Sequence, residues 1–134
     1  MDTLTPLERS ERMSRVKSRD TKPEKAVRSL LHSLGYRYRL QGKDLPGRPD
    51  LLFRSRRKVV FVHGCFWHRH RGCALARLPK SRLNFWLPKL ESNAMRDRTA
   101  QSRLRKMGWN YLVVWECQIG DREKLSKRLI EFLS

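Results

Sequence analysis

The spacing of apolar residues predicts an amphipathic helix near the start of the chain. Thr21 can cap this helix, Pro23 suits its first turn, and Glu24 stands at the capping-box position three residues after Thr21. Gly35 is a suitable residue for its end. Its apolar face is expected to comprise Ala26, Val27, Leu30, Leu31 and Leu34.

Shorter apolar segments predict strands at residues 36–40, 50–53, 59–62 and 111–115. Residues 59–62 are apolar throughout, which is typical of a strand buried on both faces. Two more helices are predicted at 89–106 and 121–133. The inner side of the first is expected to hold Leu90, Ala94, Leu104 and Met107. The order α-β-β-β-α-β-α favours an α/β fold with a mixed central sheet flanked by helices.

The length of 134 residues suits one domain, expected at 21–134, after a basic N-terminal arm at 1–20. The opening MDTLTPLERS lacks the apolar centre of a signal peptide, and no apolar run is long enough to span a membrane. We therefore expect a cytoplasmic protein with no membrane partner.

The charge of the chain is strongly positive, with 31 Lys and Arg against 13 acidic residues and a net charge of +18. Between Asp50 and Glu91 there are ten basic residues and no acidic one. This segment could be a solvated basic face or could contact acidic lipid. It contains no basic amphipathic helix of the membrane-surface kind, so a nucleic acid is the favoured partner.

Asp50 and two histidines suggest phosphodiester hydrolysis. Asp50 opens a predicted strand after a proline turn, where a carboxylate could bind Mg²⁺ or form a salt bridge with Arg48 or a nearby arginine. His63 closes the next strand, and His68 follows five residues later. Near neutral pH an imidazole can deprotonate a water or protonate a leaving oxygen.

Cys65, His70, Cys73 and Cys117 form a candidate structural zinc site. Three sulfurs and one nitrogen suit a tetrahedral Zn²⁺ ion, and the set includes every cysteine of the chain. The alternative is three buried free thiols that pack as small hydrophobes.

Aromatic residues in basic surroundings are candidates for contact with DNA bases. Phe66 and Trp67 are adjacent in a loop that also carries Arg69 and Arg71, which are themselves candidates for contact with DNA. Trp86 follows another basic segment. Such rings could be core residues. Adjacent rings in a loop cannot all point inward, however, so stacking on bases or wedging between them is expected.

Longer motifs of the chain resemble the Vsr family of very short patch repair endonucleases. The resemblance covers about residues 10–125, nearly the whole chain. It is carried by residues 10–13 (SERM), 45–50 (LPGRPD), 63–68 (HGCFWH), 85–86 (FW), Asn93, 96–98 (RDR) and 114–117 (VWEC).

This resemblance implies a restriction-endonuclease-like fold, a structural zinc, and a Mg²⁺-dependent nick. The nick would fall on the 5′ side of the thymine in a T·G mismatch that arises from deamination of 5-methylcytosine. Asp50 would be the central metal ligand. The backbone carbonyl of Val62 would be a second ligand, at a position where some members have threonine. The acidic-x-Lys pair of the wider nuclease superfamily is replaced by residues 61–63 (FVH).

The resemblance also assigns roles to other residues. His68 would be the general acid or base, or would position the water, with His63 also serving hydrolysis. Glu24 would be an auxiliary acidic residue, although its capping role explains it equally well. Asn93 and Asp97 would support the active site. Met13 of the N-terminal arm would help the aromatic residues to open the mismatch.

Two other functions remain open from the sequence. One is a restriction-like endonuclease of different specificity, and the other is a zinc-stabilised nucleic-acid-binding module without catalysis. For the repair enzyme we expect a monomer acting at the bacterial nucleoid, with mismatch-repair proteins as candidate partners.

Overall fold

In the computed structural model, which describes residues 20–134, a four-stranded sheet separates two layers of helices. The strands are β1 (Arg39–Leu40), β2 (Leu51–Phe53), β3 (Lys58–His63) and β4 (Asn110–Trp115), and they lie side by side in that order. Strand β2 is antiparallel to β1 and β3, whereas β4 is parallel to β3. The prediction of a mixed sheet is confirmed.

The helices of the described chain are α1 (Lys22–Ser33), α2 (Leu83–Lys106) and α3 (Arg122–Leu133). Their order along the chain with the strands is the one predicted. Strand β1 has two residues instead of the five predicted, since only Arg39 and Leu40 pair with β2. Short 3₁₀ turns are found at Arg54–Arg56, Ala74–Ala76 and Glu116–Gln118.

Helix α1 begins as the sequence predicts, with one change in its cap. The hydroxyl of Thr21 accepts a hydrogen bond from the N–H of Glu24 at 3.4 Å. The Glu24 carboxylate accepts from the N–H of Asp20 at 2.8 Å, one residue before the position that a standard capping box uses. Pro23 lies in the first turn, where its missing N–H removes no helical hydrogen bond.

Strand β3 is buried on both faces, as predicted. Val60 and Val62 pack in the core between the sheet and helices α1 and α3. Val59 and Phe61 pack in the core on the other face, with Leu104 of α2. His63 continues this alternation on the side of Phe61, so its ring lies on the α2 face of the sheet.

Helix α2 ends at Lys106 as predicted but begins earlier than predicted. It begins at Leu83, six residues before the predicted start at 89, and includes Pro88 in its second turn. Leu90 and Leu104 are buried as predicted, but Ala94 is only half-buried. The prediction for Met107 is wrong, because it follows the last helical residue and is 47% exposed.

Met13 and the predicted arm at 1–20 lie outside the described residues, apart from Asp20. The domain boundary at residue 21 stays a prediction. Within residues 20–134 the structure contains no helix with the length and apolar character needed to cross a membrane.

Candidate active site and metal centre

A cleft of about 560 Å³ lies at the end of β3, beside the start of β2. The sequence-predicted residues Glu24, Asp50, Val62, His63, His68 and Asp97 all line it. They come from α1, the turn before β2, strand β3, the loop after β3, and α2. The fold therefore brings together residues that are up to 73 positions apart in the chain.

Asp50 is held against the end of β3. Its Oδ2 accepts a hydrogen bond from the backbone N–H of Val62 at 2.6 Å. Burial raises the pKa of Asp50 to about 7; the Val62 hydrogen bond opposes this rise, and the nearby Glu24 adds to it. Among residues 20–134 Asp50 forms no salt bridge with Arg48, so that alternative is not supported.

The position of Val62 suits a backbone carbonyl ligand. The N–H and the C=O of one strand residue point to the same edge of that strand. Because the Val62 N–H points to Asp50, the Val62 carbonyl is directed to the same edge, beyond the last paired residue of β2. A carboxylate and a carbonyl at one cleft are the oxygen donors that Mg²⁺ prefers.

His68 and Asp97 form a hydrogen-bonded pair in the cleft, with 2.6 Å between Nδ1 and Oδ2. Because Nδ1 is engaged with Asp97, Nε2 is the ring nitrogen of His68 that can exchange a proton with a substrate or water. The His63 ring stacks on that of His68, with 3.8 Å between centroids and 3° between planes. Burial lowers the pKa of His63 to about 3, and the neighbouring His68 lowers it further.

The ligand atoms of His63, His68 and Asp97 are close enough to share a metal ion. The stacking argues against that use. Imidazole lone pairs lie in the ring plane, and those of two parallel stacked rings do not converge on one point. This arrangement favours proton transfer at His68 over metal coordination by the pair.

Glu24 combines a structural and a cleft position. Its side chain is buried, and its Oε2 accepts from Arg28 at 3.1 Å and from the N–H of Asp20. Arg28 also pairs with the Asp20 carboxylate at 2.8 Å. Arg28 thus partly neutralises an acidic residue beside Asp50, which no motif in the sequence indicated.

Asn93 lies behind the aromatic loop and does not line the Asp50 cleft. Its Nδ2 donates to the backbone carbonyl of Trp67 at 3.2 Å, and its Oδ1 accepts from Arg96 at 3.1 Å. Asn93 therefore ties helix α2 to the residue directly before His68. Its support of the site is exerted through the loop backbone.

Phe66, Trp67 and Trp86 form an edge-to-face aromatic cluster with centroids 5.2 to 6.1 Å apart. Phe66 and Trp67 are half-buried. Trp86 is only 6% exposed, which differs from our expectation of a DNA-contacting ring, because it packs beneath the other two. Its neighbour Phe85 is 40% exposed and lies under the Arg82 guanidinium at 4.8 Å.

The predicted metal ligands Cys65, His70, Cys73 and Cys117 come together, with all four ligand atoms within 4.8 Å of one another. Nδ1 of His70 lies 3.6 Å from Sγ of Cys65 and 3.5 Å from Sγ of Cys117. Tetrahedral coordination with usual Zn–S and Zn–N bonds places sulfur and nitrogen about 3.6 Å apart. The cluster could therefore bind zinc.

Residues of β4 and the turn after it join this cluster to the cleft. The Trp115 ring stacks on His70 at 4.1 Å and meets the His63 ring edge-on at 5.3 Å. Oε1 of Glu116 accepts from the N–H of Cys65 at 3.3 Å. The sequence singled out neither residue for a role, because the contact depends on the parallel pairing of β3 and β4.

The mixed α/β sheet and the cleft together define the class of this protein. The cleft combines a half-buried carboxylate before β2, a His–Asp pair and basic side chains, as in nucleases of the restriction-endonuclease-like class.

Comparison with known proteins identifies the family. Residues 1–75 match the family model described as DNA mismatch endonuclease Vsr. The chain is 54% identical to a type II nicking enzyme of Xanthomonas oryzae pv. oryzae, over 98% of the chain and 96% of that protein. It is 48% identical to the DNA mismatch endonuclease Vsr of Escherichia coli, over 88% of the chain and 75% of that protein. The chain is 40% identical to a type II nicking enzyme of Neisseria meningitidis serogroup A, over 96% of the chain and 91% of that protein.

The chain belongs to the Vsr family, and it is a DNA endonuclease. The predicted family and enzyme class are thereby confirmed, and a binding module without catalysis is not supported.

Proposed function

We propose that this endonuclease nicks duplex DNA on the 5′ side of the thymine in a T·G mismatch, in a reaction that depends on Mg²⁺. The observation that carries the proposal is the continuity of the site. Trp67, a candidate wedge into the duplex, is followed directly by His68, whose ring faces Asp50 across the cleft. A ring inserted at a mismatch would therefore bring a neighbouring phosphate to the cleft.

Asp50 and the Val62 carbonyl would hold the Mg²⁺ ion. When bound, the ion supplies positive charge beside the phosphate and favours ionisation of a water. The raised pKa of Asp50 fits this role, since a half-buried carboxylate close to Glu24 is stabilised as an anion by a cation. Glu24 adds acidic charge at the same place.

Phosphodiester hydrolysis requires that the attacking water lose a proton and that the leaving oxygen gain one. His68 can carry out one of these transfers through Nε2, while its Nδ1–H donates to Asp97. The Asp97 carboxylate stabilises the charged imidazolium and holds the ring in place. His63, kept neutral by burial, positions His68 by stacking.

The Cys65, His70, Cys73 and Cys117 cluster is proposed to hold a structural Zn²⁺. Burial raises the pKa of the Cys65 thiol to about 12, so its thiolate would need the charge of a metal ion to form at neutral pH. Zinc would fasten the loop that carries Phe66, Trp67 and His68 to the end of β4.

The assembly state and location are also proposals. The cleft is complete within one chain, which supports action as a monomer. A DNA substrate supports a place at the bacterial nucleoid in the cytoplasm. Mismatch-repair proteins are the candidate partners.

The test is nicking of three duplexes that carry T·G, T·A or C·G at one position, with and without Mg²⁺. We expect a single nick 5′ of the thymine in the T·G duplex, only with Mg²⁺. Asp50→Asn is expected to abolish nicking, because it removes the carboxylate that would bind Mg²⁺. DNA binding should stay nearly intact, because the carboxylate that is removed repels the DNA phosphates. Equal nicking of T·G and T·A duplexes would instead support a restriction-like enzyme of other specificity.

A further inference from the structure

A second cleft, of about 750 Å³, lies between the loop at residues 69–77 and the side of α2 that carries Glu91 and Arg98. We refer to it as the arginine cleft. Its walls carry the four guanidinium groups of Arg69, Arg71, Arg77 and Arg98 against one acidic residue, Glu91. Arg69 and Arg71 were predicted DNA contacts, and they line this cleft and not the Asp50 cleft.

The two clefts lie on opposite sides of one contact. His68 and Asp97, joined at 2.6 Å, line the Asp50 cleft. The next residue on each segment, Arg69 and Arg98, lines the arginine cleft. Successive helix residues point about 100° apart, and Arg69 has φ of +55°, which turns the loop after His68. The arginine cleft is therefore a direct neighbour of the reaction site.

The positive charge of the arginine cleft exceeds the negative charge that lines it, with four arginines against Glu91. Within residues 20–134 none of its four arginines takes part in an ion pair. Like charges in one concave surface repel each other, and an anion removes that repulsion. The planar guanidinium group binds phosphate oxygens through two parallel N–H bonds.

We propose that the arginine cleft binds backbone phosphates of the same DNA molecule whose scissile phosphate lies in the Asp50 cleft. This rests on the proposed nicking of duplex DNA. Guanidinium groups from three separate segments exceed what one phosphate needs and suit successive phosphates of a strand. The contact supplies affinity and register, and carries no information about the mismatch.

The experiment measures DNA affinity against salt concentration for Arg77→Ala/Arg98→Ala, without Mg²⁺ so that no cleavage occurs. Both side chains are exposed, and neither directly adjoins a proposed metal ligand in sequence, unlike Arg69 and Arg71, which flank His70. Each lost phosphate contact lowers the slope of log affinity against log salt by about 0.9, so we expect a decrease of about 1 to 2. The ratio of T·G to T·A affinity is expected to stay unchanged.

Lys124→Ala/Lys127→Ala is the matched control. It removes the same charge from exposed positions on α3, on the other face of the sheet, and should leave the slope unchanged. Melting temperatures verify folding, and Arg77→Gln/Arg98→Gln serves as a second variant. An equal change of slope in the arginine and lysine variants would overturn the proposal.

Shortening the duplex from each end gives an independent readout. Wild type should lose affinity once the duplex is shortened, from one end, so far that it no longer reaches the arginine cleft. R77A/R98A should show no loss of affinity at that length. Thermal protection by inorganic phosphate that is lost in R77A/R98A, with an unchanged DNA slope, would mark a small-anion site and overturn the proposal. If the wild type shows no T·G preference but R77A/R98A still has the reduced salt slope, the arginine cleft binds DNA phosphates and only the proposed specificity is rejected.

Discussion

The imidazole rings of His63 and His68 lie parallel, with 3.8 Å between their centroids. Two charged rings at this separation would repel each other by about 4 kcal/mol at an effective dielectric constant of about 20. The low pKa of the buried His63 keeps that ring neutral, so this repulsion does not arise. His68 therefore packs against an uncharged ring.

Asp97 is expected to hold the His68 ring in its reactive orientation and tautomer through their hydrogen bond. Asp97→Asn should lower the single-turnover nicking rate by roughly 10²–10³-fold, because an amide neither stabilises the imidazolium nor enforces the tautomer. Affinity for T·G duplex should change little. The control is Asp44→Asn, which removes an exposed carboxylate paired with Arg54. A D97N rate within a few-fold of wild type would remove Asp97 from the mechanism.

Asp50→Asn is expected to change how stability depends on pH in protein without Mg²⁺. The folded-state pKa of Asp50, about 7, lies above its ordinary value of 3.8. Between about pH 4 and 7 Asp50 therefore binds more protons in the folded state than in the unfolded state, and its own contribution to wild-type stability falls as pH rises. The variant lacks this contribution, so its stability relative to wild type should increase across that window, by on the order of 2–4 kcal/mol.

The lowered pKa of His63 changes the free energy of unfolding with pH in the opposite direction. Its pKa is lowered from 6.5 to about 3, so its stabilisation is lost as pH falls through that range. His63→Gln removes this contribution and keeps that of Asp50, which makes it the matched control. Urea unfolding at several pH values measures both variants. Parallel pH profiles for wild type and D50N would contradict a raised pKa at Asp50.

The thiol cluster is expected to hold one zinc ion per chain. Cys117→Ser should lower the melting temperature by roughly 5–10 °C, since it frees the end of β4 from the loop at Cys65. A strong chelator should lower the wild-type melting temperature, and added zinc should restore it, whereas C117S should respond much less. Elemental analysis without stoichiometric zinc in protein purified without chelators would reject this assignment.

Phe66 and Trp67 are expected to recognise the weakened stack at a mismatch. Phe66→Ala/Trp67→Ala should reduce the preference for T·G over T·A by at least about tenfold, or about 1.4 kcal/mol. Overall affinity should fall less and should remain salt-dependent, because the basic residues still contact phosphate.

The control for this wedge is Phe132→Ala, which removes a half-buried ring from the opposite face of the sheet. It should lower the melting temperature and leave the T·G preference unchanged. If F66A/W67A also loses stability while its T·G preference is unchanged, the two rings serve only in packing.

Most of the element order was readable from the sequence, because it depends on local periodicity. The apolar run at 59–62 identified the central strand, and Thr21 with Glu24 identified the first helix start. The start of α2 was missed because Pro88 lies inside the helix, in its second turn, where a proline normally ends or kinks a helix. Met107 was misplaced because the helix ends before it, so helical spacing no longer applies there.

The candidate site divides in the same way. Chemically distinctive residues such as Asp50, His68 and Cys117 were identifiable by type and motif. The sequence did not show that Trp86 is buried and Phe85 exposed, because two adjacent aromatic residues cannot be distinguished by type or spacing. The link from His70 through Trp115 to His63 likewise needs three segments in contact.

By itself the sequence determined the order of elements, the family and the residues able to do chemistry, since periodicity and side-chain type are local properties. Only the tertiary structure decided what each residue faces. Burial raises the pKa of Asp50 and lowers that of His63 because distant segments exclude water from both. The separation of His68 from Arg69 into two clefts likewise depends on how the loop packs against α2.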